Sequence, residues 1–275
     1  VSGSHTVNAV SHANLFAGNT QGELYTGGIT VNAGATLNLG GVAVDVLNTS
    51  PTVNGTLNVA TSTIHYSGTN STMRAMTYYN LYLGSGAGNF AFTASTTVLN
   101  KLNIGADSSA TVVDGGGNTI TLAGPQDGTQ MPLSIFDSTS NFTNAATIVY
   151  SGSNIYLWPM TYNGLTISNS GTKMLGANLT ATGTLTISSG TFSVATNTLT
   201  LSSATVNIAS NGTLSVGSTG TVTATGATWT NSGTVSEDTG GKIVLAGVGV
   251  LSDSAGGAAV GSLGNADSYP TIHIQ

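Results

Sequence analysis

An all-β fold, wound as a single elongated parallel β-helix (a β-solenoid) of about 22 residues per coil, is what this sequence predicts. Three observations predict it. Short units recur: GTLTI at 183, GTFSV at 190, NTLTL at 197, ATVNI at 204, GTLSV at 212, GTVTA at 220, GATWT at 226 and GTVSE at 233. Inside each unit apolar and polar residues alternate, the period of a half-buried strand. A strand of about five residues then leaves only two or three for the corner. That is too tight for repeated antiparallel reversal and suits a chain that bends and keeps winding. Gly or Asn at the junctions takes the φ > 0 conformations such corners need. Three strands and three corners close one coil, and inward side chains stack into ladders: Leu185 on Val206 on Trp229, and Phe192 on Leu214 on Val235. A β-sandwich is the alternative, although its turn signals fall every 8 to 12 residues or so.

Taken in order, residues 1–28 are the least repetitive and are expected to be an N-terminal cap or assembly segment. A strand over residues 6–10 and a helical turn over 13–17 are both open readings. The solenoid spans 29–250, opening with ITVNAGATLNLGG from Ile29 and TVNGTLNVATSTI from Thr52. In VAVDV, Asp45 is expected to face outward beside buried Val44 and Val46. A longer repeat lies above the short one. TIHYSGTNSTMRAMTYYNLYL at 63 matches TIVYSGSNIYLWPMTYNGLTI at 147, aligning Ile64 with Ile148, Tyr66 with Tyr150, Tyr78 with Tyr162 and Leu81 with Leu165 at a constant offset of 84 residues. That is about four coils. Residues 124–146, with two Pro, break the short repeat and read as a loop or an irregular insertion. Residues 251–275 read as a Gly- and Ala-rich segment followed by a strand, TIHIQ.

Composition narrows the function. Of 275 residues, 39% are hydrophobic, enough for a core, and none is Cys, so no disulfide framework exists. The net charge is −6 with four basic residues, Arg74, Lys101, Lys173 and Lys242. Nucleic-acid binding needs clustered cations and is excluded as an expectation. No apolar run approaches the roughly 20 residues of a membrane span. A chain beginning at Val1 is expected to be a processed export product.

TIVYSGS followed by TYNGLTISNSGTKMLGANLTATGTLTISSGT resembles the repeats of secreted bacterial β-solenoid proteins, the large adhesins and autotransporter-passenger-like surface proteins. VVDGGGNTITL is similar to a coil of the pectate-lyase-like right-handed β-helices. The resemblance covers about residues 29–250. It implies a right-handed winding and an extracellular or cell-surface location. It carries over no catalytic residue, because the matching positions are stacking and corner residues.

The candidate chemistry is sparse. A glycosidase needs two carboxylates flanking one bond, and no Asp-x-Asp pair occurs on a strand. Asp107 and Asp114 with Lys101 form the one grouping worth testing, and they read as solvated corner residues. Glu237 and Asp238 are adjacent, so they should point to opposite faces rather than share a cation. His5, His12, His65 and His273 lack metal-ligand spacing and read as surface residues. No catalytic residue, metal or cofactor is expected.

Two surface features remain. Tyr66, Tyr78, Tyr82, Tyr150, Tyr156, Trp158 and Tyr162 cluster in the long repeat and could form a glycan-stacking face. Stacking within and between coils is the competing reading. The pairs Thr184/Thr186, Thr198/Thr200, Thr221/Thr223 and Thr228/Thr230 suggest a water-ordering grid, but they spread over several faces.

The expected function is therefore a non-enzymatic extracellular structural protein, a subunit of a surface fibre. It would join itself head to tail through terminal strands: Thr271, Ile272, His273 and Ile274 at one end, the segment around Val7 at the other. The alternative is a cell-surface adhesin that binds carbohydrate through the tyrosine-rich face. A polysaccharide-degrading β-helix enzyme and an ice-binding solenoid rank below both.

Overall fold

In the computed structural model the chain is all-β: parallel strands stack in a β-solenoid of about nine turns, with roughly 21 residues per turn. The structure describes residues 4–7, 12–14, 23–26, 28–46, 51–84, 88–105, 111–125, 131–136, 140–143, 147–202, 204–246, 250–253 and 272–274. Two compact units divide the chain: Val1–Leu122 with Leu133–Ala145, and Ala123–Pro132 with Ala146–Gln275.

In the first unit the winding begins earlier than the repeat in the sequence. Ser4–Val7, His12–Asn14 and Glu23–Thr26 lie parallel on Gly28–Val31, Thr36–Asn38 and Ala43–Val46. The described strands of the N-terminal segment thus make rungs of the solenoid; residues 13–14 are strand, and 8–10 and 15–17 of the two open readings lie outside the described residues. The segment's irregular look has a simple cause: pairing is a main-chain property that tolerates many side chains. A third coil follows, with Thr52–Val53, Thr56–Asn58 and Thr63–Tyr66.

The next turn is short. Thr77–Leu83 pairs back onto Thr63–Tyr66 with Asn80 opposite Thr63, only 17 residues on. Asn70–Met73 pairs forward, with Gly88–Phe92, and opens a new sheet. That sheet continues through Thr111–Asp114 to Asn141–Thr143. Leu133–Ile135 pairs with Thr96–Ile104. Parts of the expected insertion at 124–146 are therefore ordinary rungs.

The second unit repeats the short turn and then winds regularly. Thr147–Tyr150 pairs with Thr161–Ile167, Thr147 opposite Gly164, again 17 residues on. From there the predicted ladders form in register. Leu185 faces Val206 and Val206 faces Trp229; Phe192 faces Leu214 and Leu214 faces Val235. All are at most 1% exposed. Each such side chain contributes on the order of 1.5–3 kcal/mol by leaving water. Gly183 is required by contact: a Cβ there would run into the Asn163 carbonyl of the rung below.

Ile272–Ile274 lies parallel on the chain's own Lys242–Ala246, with Ile272 opposite Ile243 and Ile274 opposite Leu245. Through one edge it occupies a rung of its own unit, its Ile spacing continuing the Ile243/Leu245 pattern beneath it. Thr271 lies outside the described residues.

Candidate functional site

The tyrosine-rich repeat is built first by its alternation. Tyr66 follows Ile64 at the strand period, and Tyr150 follows Ile148, so these rings point inward with the isoleucines. Tyr78 and Tyr162 enter from Thr77–Leu83 and Thr161–Ile167, the strands that pair back and close each short turn. All four rings are 0% exposed. Each pair meets edge to face, with centroids 6.5 Å apart for Tyr66–Tyr78 and 6.2 Å for Tyr150–Tyr162. A turn shortened to 17 residues encloses a narrow interior, and two crossed rings fill it.

The hydroxyls are satisfied inside. Tyr162 donates to the Trp158 carbonyl at 2.7 Å, the Trp158 amide donates to the Tyr150 hydroxyl at 3.3 Å, and the two hydroxyls lie 2.8 Å apart. Since Tyr162 uses its proton on Trp158, Tyr150 must donate to Tyr162, and a closed ring of three bonds results. In the first unit Tyr78 donates to the Arg74 carbonyl at 2.8 Å, with its hydroxyl 3.1 Å from that of Tyr66. Burial holds the Tyr78 and Tyr162 hydroxyls well above the usual phenol range and pushes Tyr150 up to about 12. These four residues are core, which removes them from the expected glycan-stacking face. Tyr82, Tyr156 and Trp158 are half-buried and keep outer surface.

Sequence reasoning missed one outward cluster. Asp45, His65, Tyr82 and Asn103 occupy successive rungs of one column. His65 Nδ1 lies 2.6 Å from Asp45 Oδ1, and its Nε2 lies 3.2 Å from the Gly84 carbonyl oxygen. Tyr82 meets the imidazole edge to face at 6.3 Å. Both ring nitrogens face acceptors, so the imidazolium makes both bonds and the neutral ring only one. The arrangement pins the imidazole and couples two rungs through the His65–Asp45 contact. Its signal in the sequence was positional: both residues are third in their strands, AVDV and TIHY.

The other ionisable candidates are dispersed. Asp114 accepts the Gly116 amide at 2.8 Å, closing the DGGG corner. Asp107 lies outside the described residues. Asp238 is exposed. Glu237 continues the inward column of Val216, and both its carboxylate oxygens are buried without a hydrogen-bond partner among the described residues. Desolvation pushes its carboxyl up to about 7. Lys173 is an unforeseen core residue. It stands 0% exposed in the column of Phe192, Leu214 and Val235, and its Nζ donates to the Asn169 and Ser170 carbonyls at 2.9 and 2.8 Å. Burial lowers it to about 8.

Outward positions form hydroxyl ladders. Thr184, Thr205 and Thr228 stand in one column, beside Thr186, Asn207 and Thr230. Thr180, Thr200 and Thr223 stand in a second, and Thr172, Thr191, Thr213 and Thr234 in a third. The four T-x-T pairs read from the sequence are thus split between two columns of strands. Among the described residues no group of three acidic or His side chains could hold a metal ion, and no helix is long and apolar enough to cross a membrane.

No family model, curated protein or solved structure matches this chain. Its class rests on geometry: a parallel β-solenoid whose two tyrosine pairs are spent in the core.

Proposed function

We propose that this chain is a non-enzymatic structural protein of the extracellular space, a stiff solenoid segment of a surface fibre. The observation that supports it most is the regular outer surface of the second unit. Three columns of in-register Thr, extended by Ser193, Ser215 and Ser236, present small hydroxyls on a main chain already tied by parallel ladders. Such a surface repeats along the axis of winding, whereas a catalytic centre concentrates unlike groups at one point.

The joint between copies is placed at the outer edges of Ile272–Ile274 and Ser4–Val7, the strands that carry Ile272, Ile274 and Val7. Each pairs inward on its own unit through one edge, and parallel pairing through the other would continue the winding into a second copy. Negative-stain images of the purified chain test this, with a parallel incubation on a panel of neutral and acidic polysaccharides. Filaments that shorten when residues 270–275 are deleted, with no new reducing ends or unsaturated uronates, support the proposal. Polysaccharide cleavage would overturn it. An adhesin reading keeps one specific observation, the half-buried rings of Tyr82, Tyr156 and Trp158; glycan-array binding lost in Trp158→Ala would favour it.

A further inference from the structure

The short turn in the first unit leaves a step in the solenoid. Thr52–Val53 and Thr56–Asn58 each end their sheets among the described residues, because the 17-residue turn that follows pairs back only through Thr77–Leu83. In the coil before, Val31, Leu37 and Leu39 are 0% exposed. Their counterparts Val53, Leu57 and Val59 are only half-buried. They floor a shallow groove of about 600 Å³, walled by Arg74, Ala75 and Met76. A second depression of about 450 Å³ opens on the other side of Arg74.

The exposed edge has a readable polarity. Thr56 donates its amide to the Ala35 carbonyl, and the Asn58 carbonyl accepts the Leu39 amide. Both residues therefore face the coil beneath. Alternate residues of a parallel strand direct their main-chain groups to opposite sides, so the N–H and C=O of Leu57 point to the open edge. Further along the same edge, Arg74 Nη2 caps the Val53 carbonyl at 2.8 Å. A side chain there takes the place of a missing strand, and it leaves a guanidinium at the mouth of the groove on a chain of net charge −6.

We propose that this ledge binds an extended acidic peptide segment of a partner protein, which adds as the missing rung beside Leu57 and sets a carboxylate against Arg74. Main-chain bonds to Leu57 would fix the strand, and an apolar side chain would fill the space between Leu57, Val59 and Met76. Arg74 would choose the acidic partner through a charge-assisted bond. About five residues span the ledge at strand rise. The two existing rungs on this face, Thr36–Asn38 and Thr56–Asn58, share the sequence TLN, and Asn58 Nδ2 donates to Asn38 Oδ1 at 2.5 Å. A third TLN rung would extend both the Leu and the Asn columns.

The test uses fluorescence anisotropy with the full chain and a fluorescein-labelled Glu-Gly-Thr-Leu-Asn-Val peptide, whose Glu falls beside Val53 and Arg74 when its TLN continues the column of Thr56–Asn58. Its controls are the same peptide with Gln for Glu, and one with Pro for Asn, whose N–H is the one that faces the Leu57 carbonyl. The acidic peptide is expected to bind with a Kd of about 10–100 µM, the Gln peptide about tenfold more weakly, and the Pro peptide not at all. Arg74→Gln should bring the acidic peptide to the affinity of the neutral one, with hydrogen exchange at the Leu57 amide slowed only in the bound wild type. If that variant fails to fold, the Glu/Gln comparison on the wild type carries the charge test alone. No saturable binding up to about 1 mM would overturn the proposal. So would equal affinity for the Pro peptide, competition by a uronate oligosaccharide, or self-association of the chain that blocks the groove.

Discussion

Replacing Tyr162 by Phe removes one oxygen from the closed ring Trp158 N–H to Tyr150, Tyr150 to Tyr162, and Tyr162 to the Trp158 carbonyl. Two groups lose a partner at once: the part-buried Trp158 carbonyl loses its donor and the buried Tyr150 hydroxyl loses its acceptor. A buried group left unsatisfied costs about 1–3 kcal/mol, so Tyr162→Phe should cost about 2–4 kcal/mol. Tyr150→Phe orphans the Trp158 amide, while Tyr162 keeps its bond to the carbonyl, and about 1–2 kcal/mol is expected. The double variant should cost less than the sum by about 1 kcal/mol, since the hydroxyl orphaned by Tyr162→Phe is then also gone. Native-state hydrogen exchange is the suitable assay, because stacked coils need not unfold in one step. The amides of Thr147–Tyr150 and Thr161–Ile167 report on the turn. Equal costs for the two single variants, or strict additivity, would refute the directed ring. In the first unit Tyr78→Phe should exceed Tyr66→Phe for the same reason, since Tyr78 donates to Arg74.

Four further predictions concern inward and corner positions. Leu199→Asp buries an unpaired charge in a column 0% exposed and should cost about 4 kcal/mol or more, while the neighbouring Thr200→Asp changes stability by less than about 1 kcal/mol; urea titration of both checks the inward and outward assignment. Glu237 titrates at about 7 in the fold against 4.5 when unfolded, so the stability present below pH 4.5 is lost as pH rises through 7. Glu237→Gln should remove that loss and gain about 1 kcal/mol at pH 8, a small figure because the residue is partly solvated. Lys173 has the opposite sign: stability present above 10.5 is lost as pH falls through about 8, so Lys173→Met should be about 1–2 kcal/mol more stable at neutral pH, and melting curves across pH 6–11 or so separate the two groups. Gly183→Ala should cost about 2 kcal/mol or more in thermal melts, because its methyl would meet the Asn163 carbonyl.

Local alternation by itself determined the class and much of the register. The GTLTI-type units place Leu185, Val206 and Trp229 in one column because a strand's side-chain period of two leaves no other apolar face. The 84-residue repeat fixed that Tyr66/Tyr78 and Tyr150/Tyr162 are equivalent pairs. It could not say that their rings are buried, because that depends on a turn only 17 residues long closing around them. Coil length is a property of the wound chain. It decides which rungs are covered, hence why Leu57 lies half open while Leu37 is sealed. It likewise set Asp45 opposite His65 and seated Ile272 on Ile243. Lys173 shows the limit from the other side. Its alternation with Thr172 and Met174 allowed either facing, and only the corner carbonyls of Asn169 and Ser170, brought within reach of Nζ by the fold, let an ammonium group take a core position.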